Sequence, residues 1–364
     1  MHYIKFLRLP TFDAKSLTVK AKIAVTTDLG DDYFPDELPI QFDLQTEETK
    51  GRETKNSTIL SQTKQWSAGM RVLAVELKVP KTMANHASNF RLHVLAGPSE
   101  YSSQFVSTDE GILVTPAVMP VVSEPFTAEL VSASKMPYVE RVMPLRENAQ
   151  LSIWEETGDS IARHIWDGSV ALSGLIDLAS IGKSGISFLD HVVPLTGVKD
   201  KFQVIELGAG VGLAGLTLAK IMSRAHVLLT DVPEVEALIF KNAAANGLRN
   251  ADFKVNDWAE PTPDSIVSTK WDLILISECT YNEDSIPDLV SNIGKVMTAS
   301  PNAPIIVATK QRHENERLFF DLMNERKFDV KEHIHALCPR NFVPGDLEDA
   351  DKVDIYTFRY VGDS

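Results

Sequence analysis

Two rhythms of apolar and polar residues divide the chain. From Lys201 onward, short apolar runs alternate with longer amphipathic stretches. "KFQVIEL", "HVLLTD", "ADFKVND", "WDLILISE" and "APIIVATK" read as strands. "GLAGLTLAKIM", "VPEVEALIFKNAAANG", "NEDSIPDLVSNIGKVM" and "ENERLFFDLMNERK" read as helices, the second stopping at Gly247. This alternation predicts a parallel sheet with helices on both faces. Only a polar loop, "CPRNFVPGDLEDA", joins the last two runs, "FDVKEHIHAL" and "DKVDIYTFRYV". Parallel neighbours need a crossover, so the sheet is expected to end in an antiparallel hairpin.

The first 140 residues follow a period of two. "SLTVKAKIAV" puts Leu17, Val19, Ala21, Ile23 and Val25 on one face, with Lys20 and Lys22 on the other. "RVLAVELKVP", "NFRLHVLAG" and "EGILVTPAVMPVV" are further strands, and "LQTEETKGRETKNSTILSQTKQ" reads as a long exposed loop. The expected organisation is a β-rich accessory or recognition domain over 1–140 and an α/β domain over 141–364.

Ligands of open parallel sheets bind beyond the carboxyl ends of the strands. The loop "ELGAGVGLAG" sits at such an end, with Gly208, Gly210 and Gly212 alternating and Gly215 following. Glycines there let peptide N–H groups approach a ligand with no Cβ in the way. Gly210-Val-Gly212-Leu-Ala-Gly215 satisfies G-x-G-x-x-G, so a nicotinamide dinucleotide and S-adenosylmethionine (SAM) are both open on this pattern alone. Asp231 closes the second strand, where a carboxylate can accept hydrogen bonds from both ribose hydroxyls. Three features favour SAM. Glu206 precedes the glycines, and an acid is unfavourable beside a pyrophosphate but favourable beside a sulfonium and an ammonium. Asp257 and Trp258 close the third strand, offering an acceptor for an adenine amino group and an indole for the purine. The antiparallel end is unusual for a dinucleotide domain.

Composition narrows the partners. The 364 residues carry a net charge of -14, which argues against phosphate-backbone binding and suits a basic protein. Cys279 and Cys338 make neither a disulfide framework nor a thiolate zinc site. The N-terminal apolar stretch is too short for a signal peptide, and no run reaches 18 apolar residues, so neither secretion nor a membrane span is expected. The expected compartment is the cytoplasm, with the nucleus open.

"VIELGAGVGL", "LLTDVPEV", "KNAAANG", "VNDW" and the upstream "LSIWEETGDSIARHIWDGSVALSGLI" resemble the seven-β-strand SAM-dependent methyltransferases, and among them family 16, which is largely protein-lysine methyltransferases. The match runs from about Leu151 to Met297. It implies a Rossmann-like seven-stranded sheet with an antiparallel C-terminal hairpin, placed after the N-terminal antiparallel β domain. It also implies that Trp166 walls the SAM pocket, that Gly208, Ala209 and Gly210 contact the methionine part, that Asp231 holds the ribose, that Trp258 packs on adenine, and that Ser277 lines the pocket. Glu155, Glu156 and Gly158 either shape the pocket mouth or form a solvated loop.

The family's Asp-x-x-Tyr tetrad is matched by Glu278-Cys279-Thr280-Tyr281. A carboxylate there attracts a lysine ammonium, and a tyrosine aims the amine, so Glu278 and Tyr281 are the expected catalytic pair. Glu in place of Asp also resembles the protein-histidine methyltransferase branch, and the following "YNEDSIPDLV" resembles methyltransferases of translation elongation factors. A noncatalytic methyltransferase-like binding protein stays open. Arg312 and His313 follow the fifth strand, where they either touch substrate or stand at an exposed helix start, the latter being the expectation. His333 and His335 have no partner acid nearby in sequence, so no metal site is read there.

Overall fold

In the computed structural model the described residues are 1–50, 53–81, 89–96, 106–108, 111–113, 118–127, 138–158, 160–195, 200–312, 314–338 and 350–362. Two antiparallel-rich sheets open the chain. The strands up to residue 156, of which β7 and β8 belong to a third sheet, are β1 (His2–Asp13), β2 (Thr18–Thr27), β3 (Leu38–Lys50), β4 (Glu53–Trp66), β5 (Leu73–Lys78), β6 (Phe90–Ala96), β7 (Val106–Thr108), β8 (Gly111–Leu113), β9 (Val118–Met119), β10 (Val121–Ser123), β11 (Tyr138–Pro144) and β12 (Gln150–Glu156). One sheet has the order β5-β2-β1-β9 and the other β12-β11-β10-β6-β3-β4. They share one core, in which Ile4, Ile23 and Val25 meet Phe42, Leu92 and Val94. The alternation read in β2 and β5 matches their buried faces.

Three findings depart from the sequence reading. The polar stretch expected as a loop is the β3–β4 hairpin, paired from Leu38↔Trp66 to Lys50↔Glu53. Its threonines suit a strand, and β4 lies at a sheet edge, where polar residues can face water. The expected boundary at residue 140 falls inside β11, and β11 and β12 complete the second sheet. "EGILVTPAVMPVV" is split among three strands, and β8 joins a different sheet from β9 and β10.

That sheet is the nine-stranded one. Its remaining strands are β13 (Phe202–Leu207), β14 (Ala225–Asp231), β15 (Ala251–Val255), β16 (Leu273–Ser277), β17 (Ile305–Thr309), β18 (Phe328–Cys338) and β19 (Asp351–Tyr360), in the order β15-β14-β13-β16-β17-β19-β18-β8-β7. The first five are parallel, and β19 lies antiparallel to both β17 and β18, as the short connection required. The edge is then extended by β8, parallel to β18.

Among the described residues, seven α-helices follow or flank these strands: α1 (Asp167–Ala179), α2 (Ser187–Val192), α3 (Leu213–Ile221), α4 (Glu236–Ala245), α5 (Asp264–Val267), α6 (Ile286–Val296) and α7 (Arg317–Glu325). Successive residues of the inner strands point into opposite cores. Val204, Leu273 and Leu275 meet α1, α3 and α4, while Ile205, Ile274 and Ile276 meet α6 and α7. Burial on both faces explains why these strands are continuous apolar runs.

Two side chains of "KNAAANG" join the halves. Asn246 accepts from Ser152 N–H and donates to Ser152 C=O at 2.8 and 2.7 Å. Asn242 does the same to Trp154 at 2.8 and 3.1 Å. Spaced one helical turn apart, the two carboxamides stand in for a neighbouring strand along β12. No helix of the described residues is long and apolar enough to cross a membrane.

Candidate active site

The first parallel strand, β13, ends at Leu207 and the chain turns through Gly208, Gly210 and Gly212, all at positive φ, into α3. Gly208 is confined most tightly. A Cβ there would lie 2.4 Å from Cys279 Sγ and 3.1 Å from the Trp258 ring, so only glycine lets the loop pass between them. Next door, β14 ends at Asp231, whose carboxylate accepts from Gly210 N–H and Val232 N–H, both at 2.7 Å. Burial raises the Asp231 pKa against these two donors.

Around this turn lies a cleft of about 270 Å³. Trp166 and Ile161 wall it on the side of α1, Gly208 and Gly210 form its floor, and Asp231, Asp257 and Trp258 stand at the strand tips. Ser277, Glu278, Cys279 and Tyr281 close the far end. Among the described residues no lysine or arginine lines it, while three carboxylates do. Nine of the expected site residues therefore meet: Trp166, Gly208, Gly210, Asp231, Asp257, Trp258, Ser277, Glu278 and Tyr281.

Glu206 and Ala209 do not. The pleat turns Glu206 beneath the loop, fully buried, where Oε2 accepts from Gly215 N–H at 2.9 Å and Oε1 has no hydrogen-bond partner among the described residues. Burial pushes its pKa up to about 8, opposed by the Gly215 hydrogen bond. At neutral pH it is largely a neutral carboxyl bracing the start of α3, which corrects the expectation of an anion beside the ligand. Ala209 is buried and ties the loop to β14 through a 3.0 Å bond from its N–H to Thr230 C=O.

Glu278 occupies a left-handed turn at φ 54 and is buried. Its Oε1 accepts from Gly168 N–H at 2.7 Å and its Oε2 from Arg312 Nη1 at 2.5 Å. A Cβ at residue 168 would lie 2.6 Å from Glu278 Cγ, so glycine is required at this contact too. Arg312 also donates from Nη2 to Asp28 Oδ2 at 2.7 Å and lies 5.8 Å from the Trp166 ring. Burial raises the Glu278 pKa to about 7, with Arg312 acting against it. This corrects the reading of Arg312 as part of an exposed helix start; His313 lies outside the described residues. Tyr281 is 46% exposed, so its ring is free to meet a partner. Cys279 remains a thiol, because burial pushes its pKa well above the ordinary value.

Two other sequence readings change. Glu155 is neither a mouth residue of this cleft nor solvated. Burial would raise its pKa, but Arg141 at 2.6 Å, with His164 and the Ile165 N–H, brings it down to about 2. His333 and His335 do meet an acid: the β18–β19 register places Asp354 Oδ1 2.8 Å from a ring nitrogen of each. The sequence does not single out Asp28 or Gly168, whereas it offers Arg312 as either a substrate contact or an exposed residue. "WDG" was the one local signal, for Gly168.

A glycine turn beside an acid at the neighbouring strand tip, on a nine-stranded sheet in which β19 runs antiparallel to its neighbours, thus frames the cleft. The lysine methyltransferase family profile matches residues 145–326, half of the chain, and the chain belongs to that family. It is 28% identical over 331 residues to a UPF0665 family protein of Schizosaccharomyces pombe, covering 87% of this chain and 91% of that one. It is also 28% identical to the protein N-lysine methyltransferase METTL21A of Mus musculus, over 52% of this chain and 81% of that protein. With EEF1A lysine methyltransferase 3 of Xenopus tropicalis it shares 26% identity over 54% of this chain and 80% of that one.

Proposed function

We propose that the cleft binds SAM and that the protein transfers its methyl group to a lysine ε-amine of a protein substrate. The observation that carries this reading is the charge of the cleft: a glycine turn beside Asp231 and Asp257, with no basic side chain among the described lining residues, while Glu278 at the other end is paired with Arg312. Such a lining suits a cationic molecule without phosphate and opposes a pyrophosphate. The donor set fits as well. Asp231 can take ribose hydroxyls, the Trp258 ring can take a purine face, and the buried Trp258 Nε1 lacks a protein partner.

SAM supplies a methyl group on a cationic sulfur. The protein's own part is positioning, which can lower a barrier by several kcal/mol. The lysine amine must shed the proton it carries below a pKa of about 10.4. Tyr281, exposed at the Glu278 end of the cleft, is the group that meets this amine. Glu278 acts one step back: it fixes Gly168 at the start of α1 and thereby Trp166, while Arg312 neutralises it. A translation elongation factor is the substrate favoured by the similarity to the Xenopus tropicalis relative and by the segment after Tyr281.

The test is incubation of the full chain with methyl-labelled SAM and an extract of cells lacking this protein. One or a few labelled protein bands, with label on lysine, are expected. SAM binding without transfer to any protein would contradict the reading, and label on histidine would redirect it.

A further inference from the structure

A second cavity, of about 360 Å³, lies against the donor cleft and shares two of its walls, Ile161 and Trp166. Its other walls come from the N-terminal sheets, including Lys5, Asp28 and Arg141. It sits at the Glu278 end. Asp28 in its wall binds Arg312, and Arg312 binds Glu278. The adenine-side residues Asp257 and Trp258 do not touch it.

The charges facing this cavity are Lys5, Asp28, Arg141, Glu155, Glu156 and His164. Five of them have charged partners. Arg141 meets Glu155 at 2.6 Å and also donates to three backbone carbonyls. His164 lies 3.6 Å from Glu155, Glu156 meets Arg163 at 3.0 Å, and Asp28 meets Arg312 at 2.7 Å. Lys5 is the exception. Among the described residues its ammonium makes one hydrogen bond, to the Asp28 carbonyl at 2.7 Å, and no ion pair. A half-buried ammonium without a carboxylate partner is an uncommon arrangement, because the lost hydration is not replaced. A carboxylate entering the cavity would supply the missing partner and meet two unused N–H donors.

Resting on the protein-methyltransferase reading, we propose that this cavity is an acceptor subsite. It receives an aspartate or glutamate side chain of the substrate protein, next to the target lysine, and Lys5 is the group that binds it. The N-terminal sheets thus select substrate by pairing an acid with Lys5 while the lysine reaches Tyr281 on the other side of Trp166.

The test compares wild type with Lys5→Met and Lys5→Arg as full chains, using labelled SAM and extract from cells lacking this protein. Initial rates are measured over a dilution series of the extract, and SAM affinity and thermal melting are measured in parallel. Lys5→Met is expected to label the same bands with an apparent KM for acceptor raised at least ~10-fold. Its maximal rate and SAM affinity should change less than about threefold. Lys5→Arg, which keeps the charge, should recover most of the loss. Unchanged labelling by Lys5→Met, or an equal loss in Lys5→Arg, overturns the proposal. So does a fall in melting temperature and SAM affinity that accounts for the lost rate, since Lys5 would then only pin the turn at Asp28. If wild type labels no protein, the methyltransferase reading fails and the subsite falls with it. If wild type labels and Lys5→Met matches it, the subsite alone fails.

Discussion

The glycine-turn end of the cleft, where we place the donor, is assembled between Gly208 and Trp258, from residues at the tips of neighbouring parallel strands. The Glu278 end draws on Gly168, Arg312 and Asp28, and its ion pair between Arg312 and Asp28 spans 284 positions of sequence. The donor end is held by backbone constraint, with glycines at positive φ and an acid anchored on peptide N–H groups. The other end is held by buried ion pairs across two structural halves. Substitutions should therefore act differently: at the donor end on ligand affinity, at the Glu278 end on the stability of the joined molecule.

The largest effect is expected from Arg312→Met. It leaves the carboxylates of Asp28 and Glu278 buried without their cation, which should lower the unfolding free energy by about 3–5 kcal/mol in denaturant titration. A loss below ~1 kcal/mol would mean that the two halves are not held by this pair.

Gly208→Ala comes next. Its Cβ would collide with Cys279 Sγ at 2.4 Å in a backbone conformation with φ 67. SAM affinity measured by calorimetry should fall at least ~30-fold, about 2 kcal/mol. Asp231→Ala removes the carboxylate that anchors Gly210 and faces the cleft, and should weaken SAM at least ~10-fold, about 1.4 kcal/mol. An unchanged titration would take Asp231 out of the site.

Glu206→Gln should have the smallest effect on SAM affinity. The folded protein raises the Glu206 pKa from 4.5 to about 8, so the folded state prefers the protonated form. Below pH 4.5 the group is protonated in both states and contributes nothing. Between about pH 4.5 and 8 the unfolded state gains stability by ionising, so folding stability falls as pH rises through that window. Glu206→Gln should flatten this part of the stability curve while SAM affinity stays within about threefold. A wild-type curve with no such fall would show that Glu206 is ionised in the fold.

This contrast also explains what the sequence made legible. The alternation of strands and helices, the antiparallel ending and the glycine turn depend on local chain chemistry, so runs of apolar residues and glycine spacing reveal them. Trp258 and Asp231 could be placed because each follows directly from the end of a strand. The β3–β4 hairpin was hidden because an edge strand tolerates polar residues on its open face, and its composition then resembles a loop. Arg312 was misread because an arginine's partners, Glu278 and Asp28, are chosen by the fold rather than by its neighbours. Glu206 stands next to the glycines in sequence but not in space: the strand pleat turns it under the helix. His333 and His335 gained Asp354 through cross-strand register, which sequence separation conceals.

The central claim is that an acid-rimmed, phosphate-free cleft holds the methyl donor. A crystal structure of the full chain with S-adenosylhomocysteine tests it most directly. The account predicts ribose hydroxyls on Asp231, the purine against Trp258 and the sulfur directed toward Tyr281. The product bound elsewhere, or the cleft filled by the protein's own side chains, would contradict it.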